Sequence, residues 1–428
     1  MTECFFSKWT LSAFRIFCFA LALIFFVRGE VMGQVGAVPR AISAESSPEE
    51  RALFLAGIPL PAGSRLASLQ ESAAYQEHRK AYDETWKTFY ERHFNPKRAW
   101  ALHSIPSKLQ ATGLNPQVLF YLFGGPDIVN ATAFFPELTN YILVGMEPVG
   151  EVPAIEAMSP TDIAQSLDTL RKATDTTLKF SFFITKDMKV DLTQTKMPGV
   201  LPILYTFLVR SGYRILAVAP VSLNLEGNLV ASTGTGLPGV AIRFSGGVGE
   251  SAKTLYYLRA DLSNDGVKGH SAPLMKWMKQ FGSGIGFLKA ASYLLHESYF
   301  SDARDFLLSN CDAILQDDSG IPFKDFARDK WRFYLYGDYV KPIELFEKKF
   351  QPDLFNAYQQ KHLINPITFG TGYNWQPGES NLLLAIRRVV LSSPSVIQAP
   401  NVYGEPAVTP RVISPVPRSV ESNIPVTP

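Results

Sequence analysis

Cysteine is nearly absent. The 428 residues hold three, and Cys4 and Cys18 fall within the first 33, so the rest of the chain carries Cys311 alone. One thiol makes no internal bridge, which excludes a disulfide framework. An excess of charge is lacking too: 41 Lys and Arg stand against 39 Asp and Glu, with no evident basic stripe. Nucleic-acid affinity rests on phosphate neutralisation, so nucleic acid is excluded as a partner. Local catalytic signatures are also missing. The histidines at 78, 93, 103, 270, 296 and 362 show no His-x-x-x-His spacing, and neither Cys-x-x-Cys nor Gly-x-Ser-x-Gly occurs. No metal ligand set and no serine nucleophile can be assigned, and any cofactor stays unknown.

A long hydrophobic run is missing as well. The apolar stretch Ile16–Val27 has twelve residues, follows Lys8 and Arg15, and is closed by Arg28 and Glu30. A membrane-crossing helix needs roughly 20. The pattern is that of a signal peptide over residues 1–33, cleaved after Val31-Met32-Gly33 or, alternatively, after Ala41-Ile42-Ser43. The expectation is an exported, periplasmic or extracellular protein with no stable membrane anchor after cleavage; a retained N-terminal anchor is the alternative. Cys18 follows Arg15, Ile16 and Phe17 and lacks the small-residue approach of a lipoprotein signal. At the other end, residues 392–428 hold eight prolines among Ser, Val, Thr and Asn, which predicts a disordered tail.

What is present between these ends is ample core material, 46% apolar and 12% aromatic. Residues 34–105 read as a helical N-terminal segment. Ser47-Pro48-Glu49-Glu50 forms a capping box, Ser68-Leu69-Gln70-Glu71 repeats its logic, and Tyr75, Tyr82, Trp86, Phe89 and Phe94 recur near helical spacing as a core-facing seam. Residues 106–391 then alternate between strand and helix signals, which predicts an α/β domain. Strands are expected at 118–123, 141–146, 177–185, 213–218, 312–315 and 332–336. Helices are expected at 127–135, 159–173, 200–209, 274–281, 287–296 and 301–308, with Gly282-Ser283-Gly284-Ile285-Gly286 opening one of them. Strands 240–244 and 254–260 pair as a hairpin. The fold class is therefore a largely parallel, doubly wound sheet with an antiparallel hairpin edge.

A parallel sheet gathers the carboxyl ends of its strands along one rim, where α/β folds place ligands. Asp127, Glu147, Asp317 and Asp318 all fall at predicted strand ends. Together with Gly124, Gly125, Ser319 and Gly320 they outline an acidic loop cleft for a small molecule or a protein partner of unknown identity. Asp127, Glu147 or Asp317 with His296 as base is the catalytic alternative, a hydrolase or lyase; plain turn chemistry is the bland one. Asp261-Leu262-Ser263-Asn264-Asp265-Gly266 begins like a calcium loop but has Ala272 where the bidentate acid belongs, and reads as a solvated turn.

The Gly124-Gly125-Pro126-Asp127 turn, Phe134-Phe135-Pro136, Glu147-Pro148-Val149-Gly150 and the Gln316–Pro322 loop resemble a group of uncharacterised exported bacterial proteins. That resemblance implies an extracytoplasmic setting and adds no catalytic residue. A looser likeness is to the nucleotide-binding half of Rossmann-type and methyltransferase folds, where a Gly-rich turn follows the first strand and an acid ends the second. Glu147 falls 22 residues after Gly125, and in those folds such an acid binds ribose hydroxyls. Pro126 and Asp127 depart from the pattern, and a carboxylate there repels phosphate, which argues against a dinucleotide. A degenerate nucleotide-binding protein is the third alternative.

Overall fold

The computed structural model describes residues 45–180, 182, 195–247, 249–376 and 378–388. The expected signal segment, the Pro-rich tail and residues 181 and 183–185 of the expected strand 177–185 lie outside these residues.

The chain enters through helix α1 (Pro48–Leu55), whose capping box forms in both directions: Glu50 N–H donates to Ser47 Oγ, and Ser47 N–H donates to Glu50 Oε2. Helix α2 (Ala73–Phe89) begins later than the second box implied. Residues 67–71 make a 3-10 turn, and Ser72 caps α2 by accepting from Tyr75 N–H. The aromatic seam is buried as expected. A π turn at Tyr90–Phe94 passes directly into α3 (Asn95–Gln110).

The sheet has eleven strands in the order β10-β9-β11-β8-β7-β1-β2-β6-β5-β3-β4. Its centre is β8 (Cys311–Gln316), β7 (Gly284–Leu288), β1 (Val118–Tyr121), β2 (Asn140–Gly145) and β6 (Lys253–Arg259), all parallel. Beyond β6 the sheet continues antiparallel through β5 (Leu237–Ser245), β3 (Arg214–Leu223) and β4 (Leu229–Ala231). Beyond β8, β11 (Asn381–Arg387) runs antiparallel to both β8 and β9 (Trp331–Gly337), and β9 pairs with β10 (Ile364–Asn365) in parallel. The expected hairpin exists, but it is the inner half of an antiparallel wing, and a second wing flanks the other side. The sheet is mixed, with parallel strands only at its centre and at the β9–β10 rim.

Helix α4 (Ile128–Phe134) links β1 to β2, and α5 (Pro160–Phe180) and α6 (Leu201–Arg210) follow β2. Residues 177–180, expected as strand, are the last turn of α5. The buried positions Ile163, Leu167, Leu170, Thr174, Thr177 and Leu178 keep helical spacing to its end. α1–α6 share one apolar cluster with Leu119, Tyr121, Leu143 and Phe287. On the opposite face α8 (Ala272–Lys279), α9 (Ser301–Asn310) and α10 (Pro352–Tyr358) pack on Val118, Phe120, Ile142 and Ile314; the short α7 (Asn264–Lys268) precedes α8. Consecutive strand side chains point to opposite faces, so each central strand feeds both cores and reads as an unbroken apolar run.

Strand β7 corrects another expectation. Residues 284–288 lie in the middle of the sheet, and only short 3-10 turns follow at 290–296. The glycines that resembled a helix entry are there for space. A Cβ at Gly284 would stand 2.6 Å from both Phe120 Cε2 and Val118 Cγ1, and one at Gly286 would stand 3.2 Å from Ile314 Cγ1.

Two buried imidazoles tie this architecture to pH. His78 Nε2 donates to the Leu55 carbonyl across 2.8 Å, and burial lowers its pKa to about 4. Burial lowers His93, in the π turn, to about 4 as well, and the nearby Lys97 and Arg92 add to the effect. A histidine whose folded pKa is depressed binds fewer protons folded than unfolded between about 4 and 6.5, so its stabilising contribution is lost as pH falls through that window. In urea unfolding each of these imidazoles should contribute a loss of up to roughly 1.4 kcal/mol per pH unit between pH 6.5 and 4, on top of the other groups that titrate there. His78→Phe with His93→Phe should flatten that slope; a slope unchanged from wild type would reject the assignment.

Candidate functional site

The chain lays down β1, steps to β2 and β6 on one side, then returns to add β7 and β8 on the other. The switch point of the parallel region therefore lies between β1 and β7, and the crevice beyond the strands' carboxyl ends there is the preferred ligand position of open α/β sheets. A cleft of about 380 Å³ occupies that place. It is lined by the β1 turn (Phe123 to Asp127), the β2 end (Val144 to Glu147), the β6 end (Ala260 to Leu262) and the β7 end (Lys289 to Ala291). Small-molecule sites run to roughly 300–1,000 Å³.

Both turns that flank the switch point are strained. Among the described residues the non-glycine positions with positive φ are Phe123 (65°) and Ala290 (56°), and both line the cleft. Each costs on the order of 1–2 kcal/mol and persists only where its surroundings hold it. What holds them is a buried polar cluster at the cleft floor. Asp127 caps α4 by accepting from Asn130 N–H (3.3 Å), and the same oxygen accepts from Asn130 Nδ2 (2.9 Å). Its other oxygen accepts from the Tyr121 hydroxyl (2.7 Å) and pairs with Lys289 Nζ (2.8 Å), both side chains of the ion pair being 2% exposed. Burial and the adjacent Asp127 charge hold the Tyr121 hydroxyl far above the ordinary tyrosine range, so it stays a donor. Asp127, expected as a catalytic acid or base, has four donors on its two oxygens and acts as the junction of this cluster.

Glu147 faces the glycine turn from the β2 end. It is 3% exposed, and Tyr257 of β6 donates to its carbonyl (2.9 Å) and, more weakly, to Oε2 (3.3 Å). Glycine at 145 makes the room: a Cβ there would collide with Glu147 Oε2 and lie 2.8 Å from Tyr257 Oη. Gly125, at φ 53°, lets the turn pass beneath the carboxylate. Gly124 has no space for a side chain over the Tyr121 ring, where a Cβ would be 2.6 Å from Cγ. At the third strand end Asp261 accepts from Ser263 N–H (2.8 Å), and Ser263 caps α7, so the calcium-like stretch is a helix entry whose first acid lines the cleft.

The remaining acids share the rim but not the cleft. Asp317 and Asp318 follow β8, with β7 and β1 between them and Glu147. Asp317 accepts from the backbone N–H groups of Ala290 (3.3 Å) and Ser319 (3.0 Å) and from the Ser319 hydroxyl. Asp318 accepts from the Tyr293 hydroxyl and from Asn381 Nδ2 (3.0 Å). Burial raises both pKa values, and Asp318 pushes Asp317 up further. Gly320 packs against the Gln316 side chain. His296 hydrogen-bonds the Gly320 backbone, and burial lowers its pKa to about 4. It lies outside the cleft lining, so the expected His296 partnership with Asp127 or Glu147 does not form. Asp318, Ser319 and Gly320, expected to bind the ligand, likewise stand outside the lining. Asp317 still bears on the site indirectly, because Lys289 and Ala290 are consecutive and one reaches Asp127 while the other reaches Asp317. Lys289, Tyr121, Asn130 and Lys97 were given no role at the site from the sequence; a lone lysine after an apolar run was the one available signal.

No family model, no curated protein and no solved structure matches this chain.

The ion pair carries a prediction of its own. Removing one partner of a buried pair leaves an uncompensated charge, so Lys289→Met should cost about 3–5 kcal/mol of unfolding free energy. Truncating Lys361, which pairs with Asp338 at the surface, should cost less than about 1 kcal/mol. Similar losses for the two variants in denaturant titrations would contradict the assigned role of Lys289.

Proposed function

We propose that this chain is an exported protein that binds an unphosphorylated nucleoside in the cleft at the β1/β7 switch point. The observation that carries the reading is that the Gly124-Gly125 turn, Glu147 and Asp261, from the ends of the first, second and third strands of a parallel sheet, line one cleft. In that order the glycines let a ligand approach the backbone, Glu147 accepts from ribose hydroxyls, and Asp261 accepts from an amino group on the base. The departures from the dinucleotide pattern favour a ligand without phosphate. In a dinucleotide fold the pyrophosphate sits on the free N–H groups opening the first helix. Here the Asp127 carboxylate itself accepts from the Asn130 N–H in that turn, so this donor is already taken.

The parallel order of the central five strands resembles that of methyltransferase-type sheets, whose ligand is an adenosine carrying a sulfonium, with no phosphate. A positively charged nucleoside suits a cleft lined by Glu147 and Asp261. S-Adenosylmethionine and adenosine are therefore the first compounds to test, adenosine being the one that suits export.

Thermal unfolding and calorimetric titration with adenosine, S-adenosylmethionine, adenosine monophosphate and calcium test the reading. One of the two unphosphorylated nucleosides should raise stability by about 2.7 kcal/mol when present at a hundred times its Kd; adenosine monophosphate and calcium should not. Glu147→Ala removes a charged acceptor worth about 1.5–3 kcal/mol, a loss of roughly tenfold or more in affinity. Gly145→Ala, whose Cβ would press on the Glu147 carboxylate, Tyr257 Oη and the Gly125 backbone, should lose affinity in the same direction. Absence of any nucleoside effect at millimolar concentration would sink the proposal.

A further inference from the structure

Lys97 is the least expected residue in this protein. It sits in the first turn of α3, its side chain is fully buried, and burial together with the nearby Lys289 charge holds its pKa far below the lysine range. An amine without access to water is costly, and an apolar side chain of similar volume is often the more stable choice at such a position. Its Nζ donates to Asn130 Oδ1 at 2.9 Å. The Asn130 amide in turn donates from Nδ2 to Asp127 Oδ1, and Asp127 holds Tyr121 and Lys289 on its other oxygen. An asparagine amide can present either end to a neighbour. With an amine on one side and a carboxylate on the other, a single orientation satisfies both.

We infer that Lys97 is a positioning residue for the cleft: by fixing the Asn130 amide it orients Asp127, and through Asp127 the two turns that a ligand must contact. This rests on the nucleoside reading for its ligand but not for its geometry. The relay reaches the site from the helical layer outside the sheet, and the π turn at Tyr90–Phe94 stands immediately before α3. π turns inside helices are frequent at functional sites. The helices before β1 thus contribute to the binding site itself as well as to the core.

The test pairs Lys97→Met with Lys97→Gln in the full-length chain and reads three quantities: thermal midpoint, affinity for adenosine and S-adenosylmethionine, and amide hydrogen exchange at residues 123–127 and 289–290. Lys97→Met should keep or raise the midpoint, weaken nucleoside binding tenfold to a hundredfold, and speed exchange at the two turns while the central strands stay protected. Lys97→Gln keeps a donor toward Asn130 and should recover part of both effects. A residue that served only to fill the core would leave affinity and exchange at the two turns unchanged, whatever the midpoint, and that result overturns the proposal. If the wild type binds neither nucleoside, the nucleoside reading fails and exchange alone decides: faster exchange confined to the two turns supports Lys97 as positioning residue, and unaltered exchange there rejects it. Should Lys97→Met fail to fold, Lys97→Gln is judged by the same readings, with wild-type exchange and affinity in Asn130→Leu counting against the relay.

Discussion

A carboxylate buried between two sharp turns carries the rest of this site. Asp127 gathers donors from β1 (Tyr121), from α4 (Asn130) and from the end of β7 (Lys289). Those three elements meet where the parallel sheet changes direction. Left unpaired there, an ionised carboxylate would cost several kcal/mol; with four donors it becomes the device that pins them. The strain at Phe123 and Ala290 is the corollary. Neither residue would hold a left-handed backbone alone; Ala290 directly follows Lys289, and Phe123 lies two residues after Tyr121.

The surrounding packing leaves the cluster little freedom. Tyr121 sets its ring against Phe287 at 4.6 Å, tilted by 49°, and Phe287 in turn meets Phe134 and Phe135. Trp100 of α3 fills the far side of that group, against Phe134 and Tyr336. Interiors packed to this density deform little. A displacement of α3 would therefore reach both the aromatic wall and, through Lys97, the polar floor. The cleft is shallow in sequence terms, a few residues at each strand end, yet its shape depends on a helix that contributes no lining residue.

The legible part of the structure was the part governed by periodicity. Parallel strands covered on both faces show as short apolar runs, so 118–123 and 141–146 stood out, and with them the acids that end these strands. The cap at Ser47 was visible because a helix start is chemically local. Strand β7 was not, because Gly284 and Gly286 are spent on clearance for Phe120, Val118 and Ile314, residues 160 or so positions away or some thirty ahead, and glycine carries no strand signal. The antiparallel strand β11 also escaped, although its burial is complete through Ile386. At the site, strand-end acids were read correctly as neighbours on one rim, but their division into a cleft group and an enclosed group was beyond reach. Asp127 and Asp317 look alike in sequence. What separates them is Ala290, whose N–H turns toward Asp317 while the lysine before it turns toward Asp127.

The chemistry of the cleft follows from how α4 begins. A helix N-terminus ordinarily offers free N–H groups and a partial positive charge, an invitation to phosphate. In this chain the Asp127 side chain takes up that position, and Lys289 neutralises the carboxylate in place of a ligand cation. The acids left facing the cleft, Glu147 and Asp261, form no ion pair among the described residues, so a ligand is favoured to the extent that it brings donors: hydroxyls, an amino group, a positive charge. On the proposed reading, the residues that disfavour a nucleotide also define what is admissible, through the relay proposed to start outside the sheet, at Lys97.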